Sequence, residues 1–265
     1  MRVLFLIYCS VVTSYSAPAW TTQLTGETAG SHPMIEPSVL DFSLSWKGMV
    51  KAGKLRLEFS PQGVSKPGSL VVKSTASSLG PAATLFPYTH SYWSEIQPGS
   101  LRSKYFHSIE TDDDESVVTI NRYSSGTVVT SEATKTLGTG STTKHDYRFP
   151  FGPARDMFSA ILHIRSQTLN TGDNYGLLLL PFKSPYLLTV TVEGREKHLG
   201  KESIRLSFSM RKIDRDRHTL VPYKKLKKPV TLWLSDDDDR IPLEVRASVY
   251  IGDVRAILTH FKKTT

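Results

Sequence analysis

The densest chemistry in the chain lies in two acidic runs, Asp112-Asp113-Asp114-Glu115 and Asp236-Asp237-Asp238-Asp239. Clustered carboxylates can share a calcium ion, or act as an acid–base pair on a glycosidic bond. Neither run has the alternating D-x-D-x-D-G spacing that wraps a loop around calcium. Both fall between alternating apolar stretches, where short polar residues reverse the chain by hydrogen-bonding their own backbone. Solvated turns are the expectation for both, and no metal site is expected. The chain has eight histidines, but none sits in H-E-x-x-H or a comparable pair. There is no G-x-S-x-G elbow and no glycine-rich phosphate loop. A Ser-His-Asp triad is defined by geometry rather than by sequence position. The expectation is a protein that is not an enzyme and carries no cofactor.

Binding residues are the other candidates. Lys224, Lys225, Lys227 and Lys228, between Tyr223 and Pro229, form a basic run that can meet anionic headgroups; its plain alternative is an exposed loop. Trp46, Trp93 and Trp233, with Phe158 and Leu162, are the candidates for lining an apolar ligand pocket. Large aromatics in strands are also ordinary core residues. The net charge of +8 favours anionic surfaces in general.

These residues need elements to hold them. Residues 230–235 and 241–251 read as strand, acidic turn, strand. Leu243, Val245, Ala247, Val249 and Ile251 alternate with Glu244, Arg246 and Ser248, the period-two signature of a strand with one face in a core. Leu40, Phe42, Leu44 and Trp46 alternate in the same way, and so do Leu55, Leu57 and Phe59. Residues 79–97 read either as a short strand and bend or as an aromatic lining. Residues 132–145, rich in Thr, Gly and Ser, read as a long mobile loop. One helix is expected, at about 156–167, with Asp156 as N-cap and Met157, Phe158, Ile161, Leu162 and Ile164 as its apolar stripe. About ten or eleven strands with regular turn signals predict an all-β, mainly antiparallel fold. The expected form is a curved sheet or incomplete β-barrel, with the helix packed against it.

Arg2 precedes an apolar run over residues 3–12, and small residues follow it. That is the pattern of a signal peptide, here taken as residues 1–19. The sole cysteine, Cys9, lies inside it, so the expected mature chain has no disulfide and no thiolate metal site. Residues 20–38 read as a flexible lead-in, and 39–265 as a single β-rich domain. Export, to the periplasm or beyond, makes nucleic acid an unexpected partner. No later stretch is long and apolar enough to serve as a transmembrane anchor.

The stretch Leu232-Trp-Leu-Ser-Asp-Asp-Asp-Asp-Arg-Ile-Pro-Leu-Glu-Val, followed by Tyr250-Ile-Gly-Asp-Val-Arg-Ala-Ile-Leu-Thr-His-Phe, resembles the end of a bacterial exported family, the domain of unknown function DUF3108. Leu40 through Trp46 to Gly48, with Ala52-Gly53, looks like that family's opening hairpin. Asp156-Met-Phe-Ser-Ala-Ile-Leu-His-Ile-Arg with Gly172-Asp173 looks like its helix. The resemblance covers roughly residues 40–261 and implies an all-β exported domain, similar to the incomplete barrels of lipoprotein carriers. It brings no catalytic residues. The expected function is binding of a lipid or other amphiphilic envelope component. The alternatives are a solid-cored structural or interaction module serving an envelope protein, and a hydrolase of envelope polymers.

Overall fold

In the computed structural model of this protein, the structure describes residues 17–25, 28–61, 63–64, 66–224, 226–249 and 252–264. Residues 1–16 of the expected signal, and Lys225, lie outside the described residues.

Period-two alternation makes most of the chain strand. A single 3-10 turn at Ala19–Gln23 precedes β1 (Ser38–Trp46), β2 (Val50–Phe59), β3 (Leu70–Ser78) and the short α1 (Pro81–Leu85). Then come β4 (Thr89–Ile96), β5 (Ser103–Thr111), β6 (Glu115–Tyr123), β7 (Val128–Thr136) and β8 (Thr142–Phe149). After α2 (Met157–Ser166) follow β9 (Asn174–Leu179), β10 (Tyr186–His198), β11 (Lys201–Ile213) and β12 (Leu220–Pro222). The last three are β13 (Val230–Ser235), β14 (Pro242–Val249) and β15 (Gly252–Lys263).

Among the described residues these 15 strands form one sheet, ordered β8-β7-β6-β5-β4-β3-β2-β1-β15-β14-β13-β11-β10-β9, with β12 beside β11. Their pairing is antiparallel. The last long strand pairs with the first, Leu40 opposite Phe261, and so joins two meanders. The sheet stays open, because its edge strands β8 and β9 are not paired with each other.

It nevertheless curls until those ends meet through side chains. Asn121 on β6 donates from Nδ2 to the carbonyls of Leu180, Pro181 and Phe182, and Lys183 pairs with Glu132 on β7 at 2.9 Å. Trp20, Val128, Phe149, Leu180, Leu187 and Ile213 form one apolar cluster across the seam. A bare strand edge offers a row of unpaired backbone groups. Here the edge of β9 is covered: Thr25 N–H donates to Gly176 O (2.9 Å), and Arg155 N–H to Leu178 O (2.9 Å).

Helix α2 crosses the interior. Leu162 and Phe158 pack into one core cluster with Leu40, Val72 and Phe106. Ala160 and Ile164 pack into another with Val190, Ile204 and Leu234. A helix apolar on several sides is a buried helix.

Two expectations differ from what is observed. Residues 132–145 are largely the β7–β8 hairpin, Thr134 opposite Thr143, turning at residues 137–140. The β-branched threonines favour strand, and with both faces exposed at the tip the stretch shows no apolar alternation. In residues 79–97, α1 and β4 replace the expected bend. Described residues on both sides of 26–27 pack against the fold. Trp20 is 2% exposed, and Gly30 lies so close to Ser166 that an added Cβ would sit 2.1 Å from its carbonyl oxygen.

Candidate functional site

The helix that crosses the interior is anchored at both ends by buried polar groups. Asp156 accepts from Phe158 N–H (2.8 Å) and Ser159 N–H (2.9 Å), the N-cap that the sequence suggests. Its other oxygen accepts from Ser94 Oγ on β4 at 2.8 Å. Burial raises the pKa of this carboxyl, against the pull of its hydrogen bonds. Arg155 donates to Leu101 O and to Ser159 Oγ (3.2 Å), and its Nη2 lies 3.0 Å from His163 Nδ1.

At the C-terminal end, Arg240 donates to the carbonyls of Arg165 (2.8 Å), Gln167 and Thr168 (3.3 Å). Arg165 O is one of the orphan acceptors that end a helix, and Gln167 and Thr168 follow directly after it. Arg165 reaches back to Pro33 O, Asp239 O and Asp238 O, and burial lowers its pKa to about 10. The acidic turn therefore holds the helix through backbone oxygens. Three of its carboxylates are otherwise engaged: Asp237 accepts from Ser235 Oγ and from the N–H groups of Asp239 and Arg240, Asp236 pairs with Arg195, and Asp239 pairs with Lys263. Asp112 caps its own turn in the same way. Among the described residues there is no group of three or more His, Cys, Asp or Glu side chains placed to hold a metal.

Held this way, α2 leaves one face without a partner. From Met157 to Ser166, only Met157 and Ile161 are half-exposed; the other helix residues are buried. Positions i and i+4 share a helix face. That face borders two apolar cavities. One, of about 190 Å³, lies towards β9–β14 and is lined by Leu179, Leu188, Phe208, Met210 and Leu226. The other, of about 210 Å³, lies towards β1–β4 and is lined by Phe42, Leu55, Leu57, Tyr92 and Phe158. Met157, Ile161, Leu232 and Val245 border both, so the two adjoin as neighbouring lobes of the hollow on this face of α2. Many lining side chains, such as Leu55, Phe208, Met210 and Val245, are half-buried although they face inward. The hollow therefore communicates with solvent. A larger one, of about 750 Å³, is a polar saddle over β1–β3, where Asp41 and Arg56 already neutralise each other at 2.7 Å.

Polar groups gather at one wall of the β1–β4 lobe. Ser74 Oγ lies 3.0 Å from His90 Nε2, and the His90 ring stacks on Tyr92 at 3.9 Å. Tyr88 and Tyr92 both donate to Glu110 Oε1, at 2.6 and 2.7 Å. Burial lowers the His90 pKa to about 4 and raises both tyrosines. At neutral pH the cluster presents a neutral imidazole beside two phenols. No local motif announces it, because its members lie on β3, β4 and β5 and in the turn before β4. Strand register alone brings them together.

The pocket residues suggested by sequence divide. Phe158 lines the β1–β4 lobe, while Leu162, 2% exposed, is packed in the solid core. The tryptophans are not brought together. Trp233 alternates with Leu232 and Leu234 and does not line the hollow, yet it is 6% exposed and belongs to the core cluster of Phe158; its Nε1 donates to Glu196 Oε1 and its ring stacks on His198. Trp93, between the inward Tyr92 and Ser94, faces outward beneath Lys73. Trp46, at the end of β1, is 43% exposed. Of the basic run, Lys224, Lys227 and Lys228 are exposed.

The family described as "Protein of unknown function (DUF3108)" matches residues 41–259. Comparison with curated proteins returns no match. Two solved structures match the chain. One is a β-barrel-like protein with the domain of unknown function DUF1849 from Brucella abortus, at a TM-score of 0.53 and 10% identity, covering 88% of this chain and 99% of that one. The other is a candidate exported protein with a YmcC-like fold from Bacteroides fragilis, at a TM-score of 0.32 and 10% identity, covering 89% and 100%. At such identity the first likeness shows the fold alone. No helix among the described residues is long and apolar enough to cross a membrane.

Proposed function

The chain belongs to the DUF3108 family of proteins of unknown function, and from that premise we propose that it is a non-enzymatic, exported binding protein for an amphiphile such as a lipid. The observation that carries this reading is the two-lobed apolar hollow against the Met157–Ile161 face of α2. Small-molecule sites are apolar hollows with a few placed polar groups, commonly ~300–1,000 Å³. Either lobe alone is below that range, and the two together reach it. An acyl chain fits walls of Leu, Phe, Met and Val. The Ser74–His90–Tyr92 wall supplies hydrogen bonds for a polar head.

Ser74 and His90 also have the outline of a nucleophile and base, so a hydrolase needs weighing. Ser74 sits in mid-strand, paired to both β2 and β4, and the N–H groups around it are committed to the ladder. Acyl transfer needs free donors aimed at a developing oxyanion. Their lack beside Ser74 supports binding over turnover.

The test is titration of the purified chain with N-phenyl-1-naphthylamine, whose fluorescence rises in apolar sites. Binding at one site, displaced by long-chain amphiphiles and lost in Ile161→Trp, is the expected result. Binding unchanged in Ile161→Trp, or none in the parent chain, would sink the reading. Native mass spectrometry of protein purified from its own host then identifies what is carried.

A further inference from the structure

One end of the curled sheet differs from the other. At the helix end the chain is sealed by Arg165, Arg240 and residues 28–37. At the opposite end large apolar side chains stand in solvent: Met49 is 80% exposed, Leu85 68%, Phe86 64%, Val50 45% and Trp46 43%. All lie at the β1–β2 turn or on α1 and just after it. Isolated exposed apolar residues are ordinary, whereas a group at one end of a molecule marks a contact surface.

Hydrogen bonds tie these turns into one sector. Leu79 N–H, just before α1, donates to Ala52 O on β2 (2.9 Å), and Lys47 N–H donates to Asp253 O at the start of β15 (2.7 Å). Lys227 N–H donates to Ser248 O on β14 (2.9 Å), and Leu226 bridges to Val249. The sector also carries exposed cations, namely Lys47, Lys51, Lys224, Lys227 and Lys228. The acids at this end are Asp253 and the exposed 112–115 turn, which follows Thr111 opposite Thr89 and so borders the α1 side of the rim, whereas the lysines cluster on the side of the β1–β2 turn and the 224–228 loop.

We propose that this rim docks on an anionic lipid surface, with the apolar tips entering the headgroup region and the lysines meeting lipid charge. Apolar side chains on separate protruding turns, interleaved with lysines, suit a soft interface better than a flat protein partner. Apolar burial and lysine attraction add at such an interface. The rim also leads to the hollow. Along β1, burial falls from Leu40 through Phe42 to half-buried Leu44 and exposed Trp46, and Leu226 of the lysine loop lines the β9–β14 lobe. The amphiphile's route from bilayer to hollow rests on the binding reading above; the docking itself does not.

The experiment is co-sedimentation of the full chain with vesicles of phosphatidylcholine, alone or with about a third phosphatidylglycerol. Association with the anionic vesicles alone, weakened by high salt, is expected. Lys227→Gln and Lys228→Gln should each weaken it about five-fold. Met49→Asp with Phe86→Asp should reduce it at least ten-fold while leaving naphthylamine binding intact, since neither side chain lines the hollow. Conversely, Ile161→Trp should abolish naphthylamine binding and leave vesicle binding unchanged, so docking and ligand binding fail separately. No association with anionic vesicles, equal association with neutral ones, or association that survives the double variant would each overturn the proposal. So would a rim that ignores vesicles and captures a protein.

Discussion

Truncating Ile161 and Ile164 one at a time tests whether the helix faces a hollow or a solid core. Ile164 is 1% exposed and packed among Leu169, Val190, Ile204 and Leu234. Ile164→Ala loses its transfer free energy and leaves a void, at a cost of about 3–4 kcal/mol. Ile161 is half-exposed and borders space that is already empty. Its side chain contributes roughly half of a full burial, and truncation there adds little new cavity, so Ile161→Ala should cost about 1 kcal/mol. With a urea m-value of ~3 kcal/mol/M, the two variants should melt about 0.8 M apart. The enlarging substitutions invert the test. Ile161→Phe has room and should be close to neutral, whereas Ile164→Phe should cost ~1–3 kcal/mol through overpacking. Urea titrations followed by circular dichroism give all four values. Equal losses for the two alanine variants would mean that the interior is solid around α2, and the binding reading would fall with its cavity.

Three further outcomes follow from the same geometry. His90 has a pKa of about 4, against 6.5 as its ordinary value, so its neutral form contributes stability above pH 6.5 that is lost as the pH falls towards 4. His90→Gln should therefore lose less stability than the parent between pH 7 and pH 4.5; parallel losses in urea midpoint would refute the assignment. In Gly176→Ala the added Cβ would sit 1.8 Å from Gln23 O, so residues 17–25 should detach and chymotrypsin should cut at Trp20 and Leu24, sites resistant in the parent. Arg240→Met leaves the carbonyls of Arg165, Gln167 and Thr168 without their donor and should cost about 3 kcal/mol in urea unfolding. A loss below ~0.5 kcal/mol would show that water replaces the guanidinium.

Much of the architecture was legible because its causes are local. Alternation in Leu40–Phe42–Leu44 and in Leu243–Val245 depends on neighbours two residues apart, and it marks β1 and β14 without any tertiary knowledge. The cap at Asp156 and the stripe from Met157 to Ile164 mark α2 for the same reason. The 236–239 run reads correctly as a turn, since short polar side chains satisfy their own backbone. The β7–β8 hairpin was missed because its threonines are exposed on both faces, and alternation is visible only where one face is buried.

The candidate site was legible only in fragments. Phe158 belongs to it, yet the tryptophans chosen for their size do not, because strand parity puts smaller neighbours of Trp93 and Trp233 on the wall of the hollow, while Trp233 is buried in the core beside it. Tyr88, His90, Tyr92, Ser74 and Glu110 converge only when β3, β4 and β5 take up their register. The sequence alone determined most of the strand segments, where the main helix begins and which residues turn the chain, since those preferences arise within a few residues of backbone. Tertiary structure decided that Met157 and Ile161 face a hollow while Ile164 does not. A hollow is space that side chains from distant strands fail to fill, and how far they reach depends on the curl of the whole sheet.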